Sequence, residues 1–501
     1  MIEIRQPKTR RIVVIGGGIS GLAAAHRLIE RRTSENLSLE ILLLEASGRL
    51  GGIIRTHTRD GFLLEGGPDS FISEKPEAIA LAERVGISDQ LIETNEAHRR
   101  SFIVRGGKLH AVPEGFQLLA PSRFWPFVTS GIFSWSGKAR MALDLVLPKR
   151  AAANGSDDES LAHFVRRRFG QEALERIAQP MVGGIYTADP EQLSLRATMP
   201  RFLEMEKAHG SLIRAMWRAR RKQSIEASRG TSGARYSLFL SFKDGMQTLV
   251  EAVAAKLPET SVRLNESVTA LRYDEAAQRW KIRTGANETI EADAVCLALS
   301  TYAAANLLRE VDEPLADELD GIPYASTATI NLAYKREDVP HALDGFGFVS
   351  PVIEERATLA CTFSSVKFSH RAPKGFVLLR AFVGGALQPE NFMLDEDRIL
   401  AAVREDLRLL LGIERAPLFS SIERWPRSMP QYHLGHLEKV ARINSRLSSF
   451  PTLKLAGNAY GGAGIPDSIR SGEKAADEIL SNLDEPRRVS ITSQIQSANS
   501  I

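Results

Sequence analysis

Three glycines, Gly16, Gly18 and Gly21, follow the β-branched run Ile12–Ile15 and open a helix-like stretch from Leu22 to Ile29. That spacing suits a phosphate. Gly16 allows a tight turn, Gly18 lets the backbone approach a pyrophosphate, and Gly21 lets helix and strand pack closely. The pyrophosphate then meets free N–H groups at the positive end of the helix. Leu39–Leu44 reads as a second buried strand, and Glu45 at its end can accept hydrogen bonds from ribose hydroxyls. Strand, glycine turn, helix, strand and acid predict a dinucleotide site at the start of a doubly wound α/β unit.

A second constellation stands near the other end of the chain. Leu455-Ala456-Gly457-Asn458 ends a strand, and Gly461 to Asp467 leads into a helix from Ser468 to about Leu480. Small residues there permit close approach to a flat ring, and a helix N-terminus aimed at that ring stabilises negative charge on it. Pro466 with Asp467 or Ser468 is a helix-start signal. Elsewhere no Ser–His–Asp set or paired acid and base is visible, and no catalytic residue is named. His433 and His436 read as hydrogen-bonded structural histidines. Cys296 and Cys361 lie in apolar runs and read as buried thiols, and no cysteine–histidine cluster predicts a metal site.

These residues need elements to position them. With 501 residues, 43% of them hydrophobic, the chain can bury a large core and still hold a ligand cavity. A net charge of +3 gives no case for nucleic acid. No apolar run reaches the roughly 18–20 residues that span a bilayer, and the polar start is no signal peptide. The expected place is the cytoplasm, with peripheral contact on the inner face of the cell membrane left open.

The pattern predicts an α/β fold in which a Rossmann-like domain is built from 10–95, 236–300 and 425–482. A mainly helical domain is expected at 96–235, forming the substrate entrance and a candidate membrane contact. It holds the aromatic-rich piece Phe116, Phe124, Trp125, Phe127, Phe133 and Trp135, the polar loop Ala151–Ser160 and a mobile basic stretch, Arg218–Arg235. A substrate sheet domain is expected at 301–424, from strands such as Ala328–Tyr334 and Phe376–Val383, and a disordered tail at 483–501.

The run Glu45-Ala46-Ser47-Gly48-Arg49-Leu50-Gly51-Gly52 resembles the E-A-x-x-R-x-G-G signature of amine-oxidase-like flavoproteins. A second glycine pair and an arginine beside the pyrophosphate suit FAD, a longer and more buried cofactor than NAD. Further stretches are Glu65-Gly66-Gly67-Pro68-Asp69-Ser70-Phe71, Gly183-Gly184-Ile185-Tyr186-Thr187-Ala188-Asp189-Pro190, Ser241 to Leu249, Met429 to His436 and Gly464-Ile465-Pro466-Asp467. With these the chain resembles the oxygen-dependent protoporphyrinogen and coproporphyrinogen III oxidases in their bacterial form, over nearly its whole length.

The resemblance implies FAD contacts at Gly16, Gly17, Gly18, Ile19, Ser20, Gly21, Glu45, Ala46, Arg49, Gly52, Ile53, Gly67, Pro68, Asp69, Ser70, Val268, Trp425, Ala463, Gly464 and Ile465. Ala459-Tyr460-Gly461-Gly462 stands where a cysteine would link the flavin, so the cofactor is expected to be non-covalent. It also implies a six-electron oxidation of a porphyrinogen by oxygen in haem synthesis, with hydrogen peroxide as product. Backbone groups at Gly183 and Gly184 are expected to face the ring nitrogens, and Arg100 to meet a propionate. Ser101 stands where eukaryotic members carry an arginine. Coproporphyrinogen III, with four propionates, is the expected preference over protoporphyrinogen IX. A homodimer and hand-off of the porphyrin to a chelatase stay open. The rival readings are a flavin amine oxidase, or a non-catalytic FAD protein that binds tetrapyrroles. Bleaching of the flavin by anaerobic porphyrinogen separates them.

Overall fold

The computed structural model describes residues 9–117, 119–150, 158–219 and 238–498, with side chains through Leu483. Ile12, Val13 and Val14 are fully buried in the strand Arg10–Ile15, which lies between Leu39–Leu44 and Ala294–Leu297 in a parallel five-stranded sheet. Val262–Arg263 and Leu453–Leu455 form its edges. Helices cover both faces, so the central strands are continuous apolar runs rather than alternating ones. The helix Ile19–Ser34 is crossed by the C-terminal helix at Gly472, where a Cβ would sit 2.1 Å from the Ser20 carbonyl oxygen. Only glycine permits that crossing.

The second sheet has seven strands, in the order Phe419–Pro430, Tyr324–Lys335, Phe376–Gly384, Ala360–Thr362, Gly347–Val349, Phe102–Arg105 and Lys108–Ala111. All neighbours are antiparallel except Gly347–Val349 with Phe102–Arg105. The last two strands fall in the region expected to be helical. Gly106 and Gly107, at φ +56° and +71°, close them into a hairpin whose turn matches the strand twist. Ile103 and Val104 then bury in the sheet. Helices take over at Phe124–Thr129, Trp135–Ala142, Leu161–Phe169, Gln179–Tyr186 and Pro200–His209, around Phe164, Phe169 and Phe202.

Other expected boundaries also move. The helices Thr301–Leu308 and Glu313–Asp320 pack in one core with the five-stranded sheet, through Ala304, Leu308, Leu315 and Val295, rather than with the seven-stranded one. The strand Phe419–Pro430 carries Trp425 in the seven-stranded sheet, across the division expected at 425. The C-terminal helix starts at Ile465 and continues to Ala498, through most of the segment expected to be disordered. Once a helix is nucleated, each added residue costs little. Much of the polar loop and of the basic stretch, residues 151–157 and 220–237, lies outside the described residues.

Among the described residues, no helix is long and apolar enough to cross a membrane, and no cluster of His, Cys, Asp and Glu could hold a metal. Cys296 and Cys361 are buried and unbonded, and burial pushes the Cys296 thiol up to about 12.

Candidate functional site

The glycines of the first turn differ in what requires them. A Cβ on Gly16 would lie 2.4 Å from the Ala298 carbonyl oxygen, and one on Gly21 would lie 1.8 Å from that of Gly16. Packing within the protein accounts for both. Gly18 has an ordinary φ of −68°, and its Cβ would meet nothing within 4 Å. The open space it faces lies at the N-terminus of Ile19–Ser34, which has no side-chain cap. Free N–H groups beside an open cradle fit a pyrophosphate.

The loop after the second strand forms the other wall. Gly18 and Gly51 form an isolated parallel bridge, and the Gly51 N–H donates to the Gly17 carbonyl at 2.8 Å. Gly51 and Gly52 take φ of +104° and +58°. Arg49 donates to the carbonyls of Leu50, Gly52 and Ile54, so its guanidinium shapes this loop from within. Glu45 ties loop to turn. Its Oε2 accepts from the Gly17 N–H at 2.7 Å, and its Oε1 accepts from the Ser47 N–H and hydroxyl at 2.8 and 2.6 Å. Oε2 retains acceptor capacity for a ribose hydroxyl. The Glu266 N–H donates to the Glu45 carbonyl and the Asn265 N–H to that of Ser47, which ties the residues just before the strand Val268–Asp274 to this loop. Ala46 is exposed, and Ile53 is 42% exposed although large and apolar.

The segment Glu65–Ser70 is held by the seven-stranded sheet. The Glu65 carbonyl accepts from Asn331 Nδ2 at 3.1 Å. That of Gly66 accepts from Thr329 Oγ1 at 2.6 Å and Trp425 Nε1 at 2.8 Å, and that of Gly67 from Arg380 at 3.0 Å. Gly67 also packs on Ile53, whose carbonyl oxygen lies 1.8 Å from the place of a Cβ. Asp69 accepts from Lys367 Nζ at 3.0 Å on both oxygens and from the Ser70 hydroxyl at 2.7 Å. Burial opposes its ionisation, but Lys367 and Arg380 outweigh that and hold the carboxyl well below the usual carboxylate range. Burial likewise draws the Lys367 ammonium down, with Asp69 opposing. Arg371 completes the cluster by donating to Ser241 Oγ, whose hydroxyl donates to the Asp69 carbonyl.

Gly67 to Ser70 and Trp425 are expected at this site from the sequence, whereas Lys367, Arg371 and Arg380 are not among the residues named there. One signal was present. Arg380 is the lone charge in the apolar strand Phe376–Gly384, and buried charges are rarely unpaired.

At the C-terminal element, Asp467 is buried and accepts from Lys75 at 2.6 and 2.7 Å and from Arg470. Gly462, at φ +137°, makes room for it, since a Cβ there would sit 2.4 Å from the Asp467 carboxyl carbon. The helix start at Ile465 follows a half-buried Ala463 and an exposed Gly464. The Tyr432 hydroxyl donates to the Asn458 carbonyl and accepts from the Gly462 N–H at 3.0 Å. Its ring stacks on His436 at 4.2 Å, and burial pushes that histidine down to about 4, so the ring is neutral at pH 7.

The substrate residues named from sequence differ in their surroundings. Arg100 pairs with the Asp344 carboxylate and donates to its carbonyl at 2.7 Å, which leaves its charge already matched. Gly183 and Gly184 lie in the last turns of the helix Gln179–Tyr186. The Gly183 carbonyl accepts from the Thr187 N–H at 2.9 Å, whereas Gly184 is exposed.

Residues 19–480 match the family described as flavin-containing amine oxidoreductase. Coproporphyrinogen III oxidase of Bacillus subtilis is 36% identical over 95% of this chain and 98% of its own. Protoporphyrinogen oxidase 2 of Arabidopsis thaliana is 29% identical, covering 96% of each. A crystal structure from Exiguobacterium sp. 255-15 superposes with a TM-score of 0.82 at 30% identity, covering 96% of this chain and all of that one. The glycine cradle, the acid at the second strand and the helix at the far end of the chain thus belong to a member of the flavin-containing amine oxidoreductase family, in the branch of the porphyrinogen oxidases.

Proposed function

We propose that the protein oxidises coproporphyrinogen III to coproporphyrin III with FAD and molecular oxygen, and takes protoporphyrinogen IX less well. The observation that carries this reading is likeness along the whole chain to a coproporphyrinogen III oxidase, at 36% identity, against 29% for the plant protoporphyrinogen oxidase. The open cradle at Gly18 supports the cofactor half of it.

In this reading Gly16 to Gly21 hold the pyrophosphate, Glu45 takes the ribose, and Ala46 and Val268 flank the adenine. Gly52, Ile53, Gly67 to Ser70 and Trp425 line the middle of the cofactor. The helix start at Ala463 to Ile465 faces the ring, and Arg49 acts by holding the loop. When bound, the flavin supplies hydride acceptance and reaction with oxygen two electrons at a time, so six electrons leave the porphyrinogen and three hydrogen peroxides form. The protein's own part is placement. Three neighbouring strands fix the Glu65 to Gly67 carbonyls, and the Gly184 backbone offers polar groups to pyrrole N–H donors. Binding is non-covalent, since no cysteine stands at Ala459 to Gly462.

Anaerobic addition of coproporphyrinogen III should bleach the yellow protein, and air should restore it with three peroxides per porphyrin formed. A flavin that stays oxidised under both porphyrinogens sinks the proposal.

The helical region supports a membrane contact. Phe127 and Phe133 are buried, but Trp125 and Trp135 are 72% and 74% exposed, beside exposed Phe124 and Val146. Exposed tryptophans favour the membrane–water interface. The wild type should sediment with anionic liposomes and a Trp125→Ala, Trp135→Ala variant should not. Equal sedimentation of the two removes this contact.

A further inference from the structure

We infer that Arg427 is a specificity residue that anchors a carboxylate of the substrate, an inference that rests on the porphyrinogen reading above. The backbone around it is unusual. Ala325 pairs with Met429 and Thr327 with Trp425, which leaves Pro426, Arg427 and Ser428 bulged opposite Ser326. Arg427 takes φ +43°, in the left-handed region that disfavours a residue with a Cβ. Bulges re-aim side chains beside active sites, and strain of this kind persists only where the surroundings enforce it. Here they do. The Arg427 N–H donates to Ser326 Oγ at 2.9 Å, and its carbonyl accepts from the Tyr302 hydroxyl at 3.3 Å.

The side chain is fixed and yet unmatched. Its guanidinium carbon lies 3.9 Å from the centre of the Tyr302 ring, which leaves the N–H fork free at the edges. No acidic side chain pairs with it among the described residues, whereas Arg99 pairs with Glu96 and Arg100 with Asp344. A preorganised fork of this kind suits a carboxylate.

Its place is the junction of the segments that build the site. Tyr302 lies in the helix that starts three residues after Ala298, and Ala298 and Leu299 are the neighbours facing Gly16 and Gly457. Tyr302 packs edge-on against Tyr324 at 5.2 Å. Two residues before Arg427, Trp425 holds the Gly66 carbonyl. Four residues after it, the Gln431 amide donates to the Tyr186 carbonyl at 3.2 Å, at the end of the helix that carries Gly184. A porphyrinogen whose ring faces the flavin site carries propionates outward, and in this reading the exposed Arg427 meets one of them.

The test compares wild type, Arg427→Met and Arg427→Lys, all as flavin-loaded protein, with coproporphyrinogen III and its tetramethyl ester. For the free acid, Arg427→Met should raise KM about tenfold or more, the loss expected for a charge-assisted bond, with kcat within about twofold. Arg427→Lys should recover part of that, and the ester should show no difference between the variants. Titration of oxidised protein with coproporphyrin III should give the same order of affinities. A wild type that oxidises coproporphyrinogen while Arg427→Met keeps its KM overturns the role of Arg427 alone. A wild type that oxidises neither porphyrinogen removes the function and this residue's role with it. A change shared equally by acid and ester means the bulge acts on shape rather than charge, and also overturns the inference.

Discussion

Replacing Gly18 with valine is expected to give a folded, colourless protein. The Cβ position of Gly18 is open to 4 Å, and its φ of −68° is one that valine adopts readily. The protein itself therefore loses only about 1 kcal/mol, from a poorer residue at the helix start. The new methyl groups instead fill the space through which a pyrophosphate reaches the helix N–H groups. Losing two charge-assisted bonds of about 1.5–3 kcal/mol each weakens flavin binding more than a hundredfold. Gly21→Ala is the contrasting variant, because its Cβ would lie 1.8 Å from the Gly16 carbonyl oxygen, and it should lose the fold along with the flavin. Flavin-to-protein absorbance and thermal melting of the purified variants separate the two outcomes. A yellow Gly18→Val protein with full flavin content would place the pyrophosphate elsewhere.

The second large effect is expected at Lys367. Lys367 and Asp69 are each only 13% exposed, and Lys367→Met leaves the carboxylate with Arg380 at 3.8 Å as its remaining cation. Breaking a buried pair by removing one partner typically costs about 3–5 kcal/mol. The pH dependence follows from the sign of the shift. Asp69 is depressed in the folded protein, so its contribution is present above the ordinary carboxylate range and lost as pH falls through the folded value. Wild type and Lys367→Met should therefore differ most near pH 7, keep most of that difference down to about pH 4, and converge only as pH falls below the ordinary carboxylate range toward the folded value. Urea unfolding at pH 7 and at about pH 3 reads the onset of that convergence. A difference under about 1 kcal/mol at pH 7, or one that does not shrink in acid, contradicts the pairing.

Gly18 and Lys367 mark the two limits of what the residues alone disclose. The turn at Gly16 to Gly21, the acid at Glu45 and the strand Leu39–Leu44 are local, and each carries its own physical signature within a few positions. The hairpin Phe102–Ala111 was equally local, since Gly106-Gly107 between β-branched and apolar residues is a turn signal. That signal stands at the edge of a long segment whose pattern is otherwise mainly helical. Lys367 was a different matter. Its partner Asp69 lies 298 positions away, and the acid that neutralises Arg100 lies 244 away. Periodicity carries no information about such pairs, so the charge matched by Asp344 and the charge left free on Arg427 look alike in sequence.

The crossing at Gly472 has a consequence for how the molecule is made. The cradle is synthesised well before the helix that packs on it, and Arg27 meets Asp477 across 450 positions. At about 5–20 residues per second, the first strand, turn and helix wait roughly 20–90 s on the ribosome before their partner emerges. Through that interval Leu22, Ala23 and Leu28 lack part of the apolar surface that buries them in the finished protein. Contacts so distant in sequence form late, because loop closure must precede the gain. Until the helix that starts at Ile465 emerges, the cradle of the nascent chain thus stands on a helix whose apolar face is only partly covered.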